Sequence, residues 1–138
     1  MGKLKGVAGK KGNIINPQIP TSDKYRDFNY PVFCFRHMVS GHDLSECEKD
    51  DKAVLIDKLH MLSQMEWIKI HLAHNAGHGA EKINRSAFKV SIPSNIPEDV
   101  IFYRIRFHGR KPIIGYKTDF VFHIIWIDVK FSVYDHGP

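Results

Sequence analysis

Just past residue 79 the apolar period of this chain changes from helical to extended, and no other feature restricts its fold as much. Before that point, Ser45-Glu46-Cys47-Glu48 has the S-x-x-E form of a capping box, in which side chains satisfy free backbone N–H groups at a helix start. Leu55, Leu59 and Leu62 follow at i, i+4 and i+7, a single apolar stripe. Ser63-Gln64-Met65-Glu66 repeats the capping pattern, Met65, Ile68 and Leu72 continue at i, i+3 and i+7, and Ala76-Gly77-His78-Gly79 ends the run. Residues 46–73 are therefore expected to form two consecutive helices with a break near Ser63.

Beyond Gly79 the period is two. Phe88, Val90 and Ile92 alternate with Lys89 and Ser91, and Pro93 and Pro97 bracket a loop. Ile101, Tyr103, Ile105 and Phe107 then alternate with Phe102, Arg104, Arg106 and His108, a strand with one buried face and a basic outer face. His108 to Lys111 reads as a turn, Pro112 to Tyr116 as a strand, and Phe120 to Ile127 as a nearly continuous apolar strand with a central place in a sheet. Asp128 to Lys130 turns into Phe131 to Tyr134, and residues 86–136 are expected to form an antiparallel sheet. Ahead of the helices, Asn29 to Arg36 is aromatic and short, a strand that Pro31 keeps near an edge or a strand start. The expected fold class is α+β: an N-terminal strand, two consecutive helices, then a mainly antiparallel sheet of four or five strands.

At 138 residues, 43% hydrophobic and 25% charged, the chain suits one soluble domain and excludes a disordered protein. No apolar run approaches the roughly 18 residues that cross a bilayer, and no signal-peptide h-region is visible. Cys34 and Cys47 fit no metal-binding spacing, so the expectation is a cytoplasmic protein with two reduced thiols and no membrane partner. Residues 1–22 carry Lys3, Lys5, Lys10 and Lys11 without an acid and read as a disordered basic tail, leaving residues 23–138 as a single α+β domain close to neutral. Within that domain, residues 82–117 hold eight bases against Glu98 and Asp99. Such a basic half is suited to polyanionic phosphate, although charge alone slightly favours a mixed-charge surface with a flexible solubilising tail.

Two constellations carry possible chemistry. Arg104 and Arg106 lie two residues apart on a strand, so they project from the same face roughly 6.5–7 Å apart, a spacing that suits phosphate oxygens. His123 and His136 are candidate proton donors, because histidine titrates near neutrality. The alternatives are solvated arginines, a hydrogen-bonded core histidine at 123 and a frayed terminus at 136. In the second constellation, His71, His74 and His78 have spacings of three and four, with Glu81 behind them. The helix must break before His78, so no metal is assigned, and no cofactor. The segment from Gly77 to Lys82 is instead a polar, Gly-containing connector, and its His78, Glu81 and Lys82, with Arg85, are candidate substrate contacts beside the basic strand. No P-loop, dinucleotide fingerprint, G-x-S-x-G or H-E-x-x-H occurs.

Two helices, then Tyr103-Arg104-Ile105-Arg106-Phe107, a Gly turn, Ile113-Ile114-Gly115-Tyr116 and a last apolar strand leading to Val133-Tyr134 resemble the RelE/ParE-like toxin superfamily over about residues 45–136. The resemblance implies a toxin-like endoribonuclease that cleaves mRNA in the ribosome without a metal, through attack of the RNA 2′-OH. It implies a cognate antitoxin protein as a further partner. On this resemblance Arg104 and Arg106 match the alternating basic pair of the nucleases, and Tyr134 and His136 match the residue that ends their last strand. Lys111 stands as a displaced substitute for the arginine that follows the Gly turn. The ParE-like branch keeps the fold and blocks gyrase without cleaving RNA, so a non-catalytic binding module is the alternative. An unrelated α+β domain with a small-molecule or metal role is the third.

Overall fold

The computed structural model describes residues 29–73 and 79–136; the expected basic tail, His74 and His78 lie outside the described residues. Over the described residues the chain is α+β with a five-stranded mixed sheet and two α-helices. Strand β1 (Val32–Cys34) precedes helices α1 (Lys49–Ser63) and α2 (Trp67–Leu72). Strands β2 (Ala80–Ile83), β3 (Phe102–His108), β4 (Lys111–Thr118) and β5 (Val121–Ile127) follow. The sheet order is β1-β5-β4-β3-β2. The pairings from β2 to β5 are antiparallel, whereas β1 lies parallel to β5, with Val32 opposite Val121 and Cys34 opposite His123.

The apolar run of β5 is explained by its place between β1 and β4, with both faces covered. Phe122, Ile124 and Ile127 point to the helix side, and Ile125 and Trp126 to the opposite side. The two adjacent residues on one side follow from a bulge where the β4 register moves from Ile114 opposite Trp126 to Gly115 opposite Ile124. Gly115 is required there. A Cβ at this position would overlap the carbonyl oxygen of His123, with the carbonyl carbon 2.8 Å away.

Leu55, Leu59 and Leu62 of α1 pack on the helix side of the sheet as one stripe. In α2 the stripe is displaced: Trp67 and Ile70 are buried, while Ile68 and Leu72 are 60% and 71% exposed. The cause is the indole. Trp67 Nε1–H donates to the Phe120 carbonyl (2.9 Å) and its backbone N–H to the Asn29 carbonyl (2.7 Å), which fixes the rotation of a helix of only six residues. The helix starts also shift. Asp43 caps a short 3₁₀ turn at Leu44–Glu46, and α1 begins after Glu48, which forms a reciprocal capping box with Asp51. Ser63 ends α1, its hydroxyl donating to the His60 carbonyl (2.6 Å).

Among the described residues no α-helix packs on the opposite side of the sheet. Residues 84–101 and 128–136 cover it, placing Phe88, Ile96, Val133 and Tyr134 against Phe102, Ile114 and Trp126. The strands expected at 88–92 and 131–134 reduce to one antiparallel bridge, Phe88 to Tyr134. A 3₁₀ turn at Arg85–Ala87 precedes that bridge, and Phe131 takes a left-handed backbone (φ 56°), so neither segment stays extended. The sheet gains β2 instead, in the segment read as a connector, because Ala80 and Ile83 both find buried places.

Asp51 ties α1 to the β3–β4 turn. Its carboxylate is 1% exposed, accepts the Glu48 N–H (3.1 Å) and lies 2.8 Å from both Lys111 Nζ and His108 Nδ1. The Lys111 ammonium holds the carboxyl at about 2, against the ordinary 3.8, with burial opposing and His108 assisting. Because the folded group titrates below the unfolded one, this stability is complete above about pH 4 and is lost as pH falls towards about 2. Asp51→Ala is expected to cost about 2 kcal/mol in denaturant unfolding at neutral pH, and to abolish most of that acid dependence. Gly115→Ala is expected to cost at least about 2 kcal/mol, since backbone rather than a flexible side chain blocks the methyl group. A melting temperature unchanged in Gly115→Ala would contradict the bulge.

Candidate nucleic-acid interface

Alternation along β3 sends Tyr103, Ile105 and Phe107 towards the helices and Phe102, Arg104 and Arg106 towards the opposite side. Arg104 faces its cross-strand neighbour Glu81 of β2 and pairs with its carboxylate. Its side chain keeps 15% exposure. Arg106 is half-buried, its Nε is enclosed, and it has no hydrogen bond or ion pair among the described residues.

The C-terminal segment lays Tyr134 over this pair. Burial pushes the phenol above its ordinary value of 10; Arg104 and Arg106 pull it down, and Asp128 and Glu81 push it up. The hydroxyl thus sits in the field of both guanidinium groups. His136 packs against the Tyr134 ring at 3.9 Å between centroids, and its Nε2 is 3.2 Å from Asp128 Oδ2. Asp128 is fully buried and accepts the backbone N–H groups of Ser132 (2.8 Å) and Val133 (3.1 Å). One carboxylate therefore shapes the segment and orients the imidazole. Cations, a protonated phenol and an imidazole with a carboxylate behind it are the groups that phosphoryl chemistry at a 2′-OH uses.

Of the residues singled out in the sequence, Arg104, Arg106, Tyr134, His136 and Glu81 come together. Lys111 does not join them, since it reaches Asp51 beside α1. His123 lies on β5 further along the sheet, stacked on Tyr116 at 4.8 Å with Nε2 2.7 Å from Thr118 Oγ1. Burial, with His37 assisting, holds its pKa below the ordinary 6.5. Lys82 is exposed at the outer strand. Arg85 sets its guanidinium 5.2 Å from the Phe102 ring centroid and donates to the Pro97 carbonyl (3.0 Å). His71 packs between Trp67 and Tyr103 on the helix side. Asp128 was missed by sequence reasoning, which took it for a turn residue. Its signal was an acid closing an apolar strand four residues before Ser132, the span of a side chain that caps its own turn.

Among the described residues no group of three His, Cys, Asp or Glu side chains is placed to hold a metal ion, and no helix is long and apolar enough to cross a membrane. Compared with protein-family models, curated proteins and solved structures, the chain matches none.

Asp128 should be the most sensitive position of this region. Asp128→Ala leaves two backbone donors without their acceptor and is expected to destabilise the protein by about 2–3 kcal/mol in denaturant unfolding. Hydrogen exchange should show the Ser132 and Val133 amides losing protection. Retained protection at both would mean that Asp128 does not hold the segment.

Proposed function

We propose that this protein acts on RNA through the helix-free side of its sheet, as an endoribonuclease of the RelE-like kind. The observation that carries the reading is Tyr134 with the His136–Asp128 pair on the side of the sheet that Arg104 and Arg106 face. In the proposed step the 2′-oxygen attacks phosphorus while His136 takes its proton, with Asp128 positioning the ring and stabilising the imidazolium. Arg104 and Arg106 neutralise the phosphorane oxygens. The bond to the 5′-oxygen breaks, and Tyr134, kept protonated by burial, supplies the proton. The products are a 2′,3′-cyclic phosphate and a 5′-hydroxyl. The family resemblance adds a ribosome-bound message as substrate, an antitoxin as protein partner and a cytoplasmic location.

A second reading, RNA or protein binding without cleavage, is favoured by the pairing of Arg104 with Glu81 and by the 5% exposure of Tyr134. Controlled expression with 5′-end mapping of cellular RNA, and cleavage of a purified message in EDTA, separate the two. Arg106→Ala should slow cleavage by on the order of a hundredfold. It should also reduce the slope of log affinity against log salt by about one, with stability within about 0.5 kcal/mol of the parent. His136→Ala should impair cleavage and leave RNA affinity nearly intact. Binding with no cleavage in the parent protein selects the second reading; full cleavage in both variants excludes this site.

A further inference from the structure

Beside the arginine pair, at the end of the sheet where the β4–β5 hairpin turns, lies a groove of about 810 Å³. That volume is in the range of small-ligand sites. Val100 and Ile101 form one wall and the stacked Tyr116 and His123 another, with Asp99 and Asp119 at the rim. Ile101 is 48% exposed, an aliphatic side chain open to solvent against two aromatic rings. The His123 Nδ1 is enclosed and has no hydrogen-bond partner among the described residues. Arg85 joins this groove to the arginine pair: its guanidinium caps Phe102, Phe102 packs on Tyr116 at 6.2 Å, and Pro97, whose carbonyl Arg85 holds, lines the groove.

We infer that this groove is a nucleobase subsite selective for bases that carry an exocyclic amino group. The inference rests on the RNA reading above and names what that site would select. Three features argue for it. A flat ligand is favoured by aromatic and aliphatic walls, and base stacking on such side chains contributes to affinity whatever the base. The lining carries Asp99 and Asp119 against one base, Lys117, whose ammonium is turned to the Trp67 ring 4.8 Å away, so the two carboxylates are open to accept from amino donors; a carboxylate pairs with cytosine N4 in this way. Lastly, Arg106 is four residues from Phe102 on β3, roughly 13 Å, so one short single strand can leave a phosphate at Arg106 and a base in the groove. Uracil has no amino group and is the disfavoured base.

The test uses the full chain and oligonucleotides of about eight nucleotides of C, A or U, with fluorescence anisotropy at fixed salt. Oligo-C and oligo-A should bind roughly fivefold more tightly than oligo-U. Asp99→Asn combined with Asp119→Asn, both exposed and compatible with the left-handed backbone of Asp119, should remove that preference. Tyr116→Leu should weaken all three by roughly fivefold, with its circular dichroism and melting checked against the parent. Arg106→Ala should weaken all three equally and keep the preference. Equal affinities in the parent, or a preference that survives the double Asn variant, overturn the base subsite and leave the phosphate reading standing. Absence of binding to every oligonucleotide overturns the phosphate reading. In that event free cytidine and uridine are titrated against the His123 ring resonances: a shift with cytidine alone upholds the groove, and no shift, or equal shifts, overturns it.

Discussion

A five-stranded sheet whose interior strands are apolar on both sides must be covered twice, and the described helices cover one side only. Trp126, Ile125 and Ile114 on the second side are fully buried, so irregular chain has to do there what α1 and α2 do on the first. Irregular chain brings its own cost, since every backbone N–H and C=O that it buries needs a partner. Asp128 supplies two acceptors, Lys89 N–H donates to the Val133 carbonyl (2.8 Å), and Asp135 N–H donates to the Ala87 carbonyl (2.7 Å). These bonds hold the C-terminal segment in the only course that satisfies it. That course lays Tyr134 and His136 across the arginines of β3. The candidate site is thus a consequence of how the second side is closed.

The same two-sidedness sorts the charge. In sequence, residues 82–117 form one basic stretch, but alternation and the turns divide it. Lys111 turns to Asp51, and Lys117 sits 4.8 Å over the Trp67 ring with its pKa lowered by burial, both on the helix side. Arg104 and Arg106 face the other way, and Glu81 offsets the first of them. Lys82, opposite Tyr103, also falls on the helix side, which leaves Arg106 on the other, with the exposed Arg85 and Lys89 on the segment that covers that side. A count of bases along the chain therefore overstates the charge on either side of the sheet.

Strong periodicity was legible and weak contacts were not. The leucine stripe of α1, the break at Ser63, the alternation of β3 and the interior place of β5 all follow from apolar spacing, and the structure shows each of them, although β4 rather than β5 is the middle strand. Three features do not. Strand β2 has only Ala80 and Ile83 to mark it, and its place depends on an edge of β3 far along the chain. The rotation of α2 is decided by one indole bond to Phe120, a contact 53 residues away. The parallel pairing of β1 is likewise a long-range choice. In the site, the two arginines could be placed on one face from spacing alone. The groups around them, Glu81 of β2 and Tyr134 and Asp128 of the C-terminal segment, come from two other elements, and no local pattern joins them.

Access then sets how such a site operates. Displacing the C-terminal segment would remove Tyr134 and His136, so a substrate that uses them has to enter past β2, where the Glu81 side chain is 44% exposed. Under the proposed RNA reading, a phosphate finds in Arg106 a cation with no described partner to give up. It then competes with Glu81 for Arg104, an exchange of one anion for another that costs little net electrostatic energy. Without Glu81, Arg104 would keep an uncompensated charge at 15% exposure, a costly state for the free protein. Under the RNA reading proposed above, the carboxylate is a resident stand-in for phosphate. It keeps the guanidinium aligned while the site is empty, and it yields at the half-exposed edge, where its own return to water is cheap.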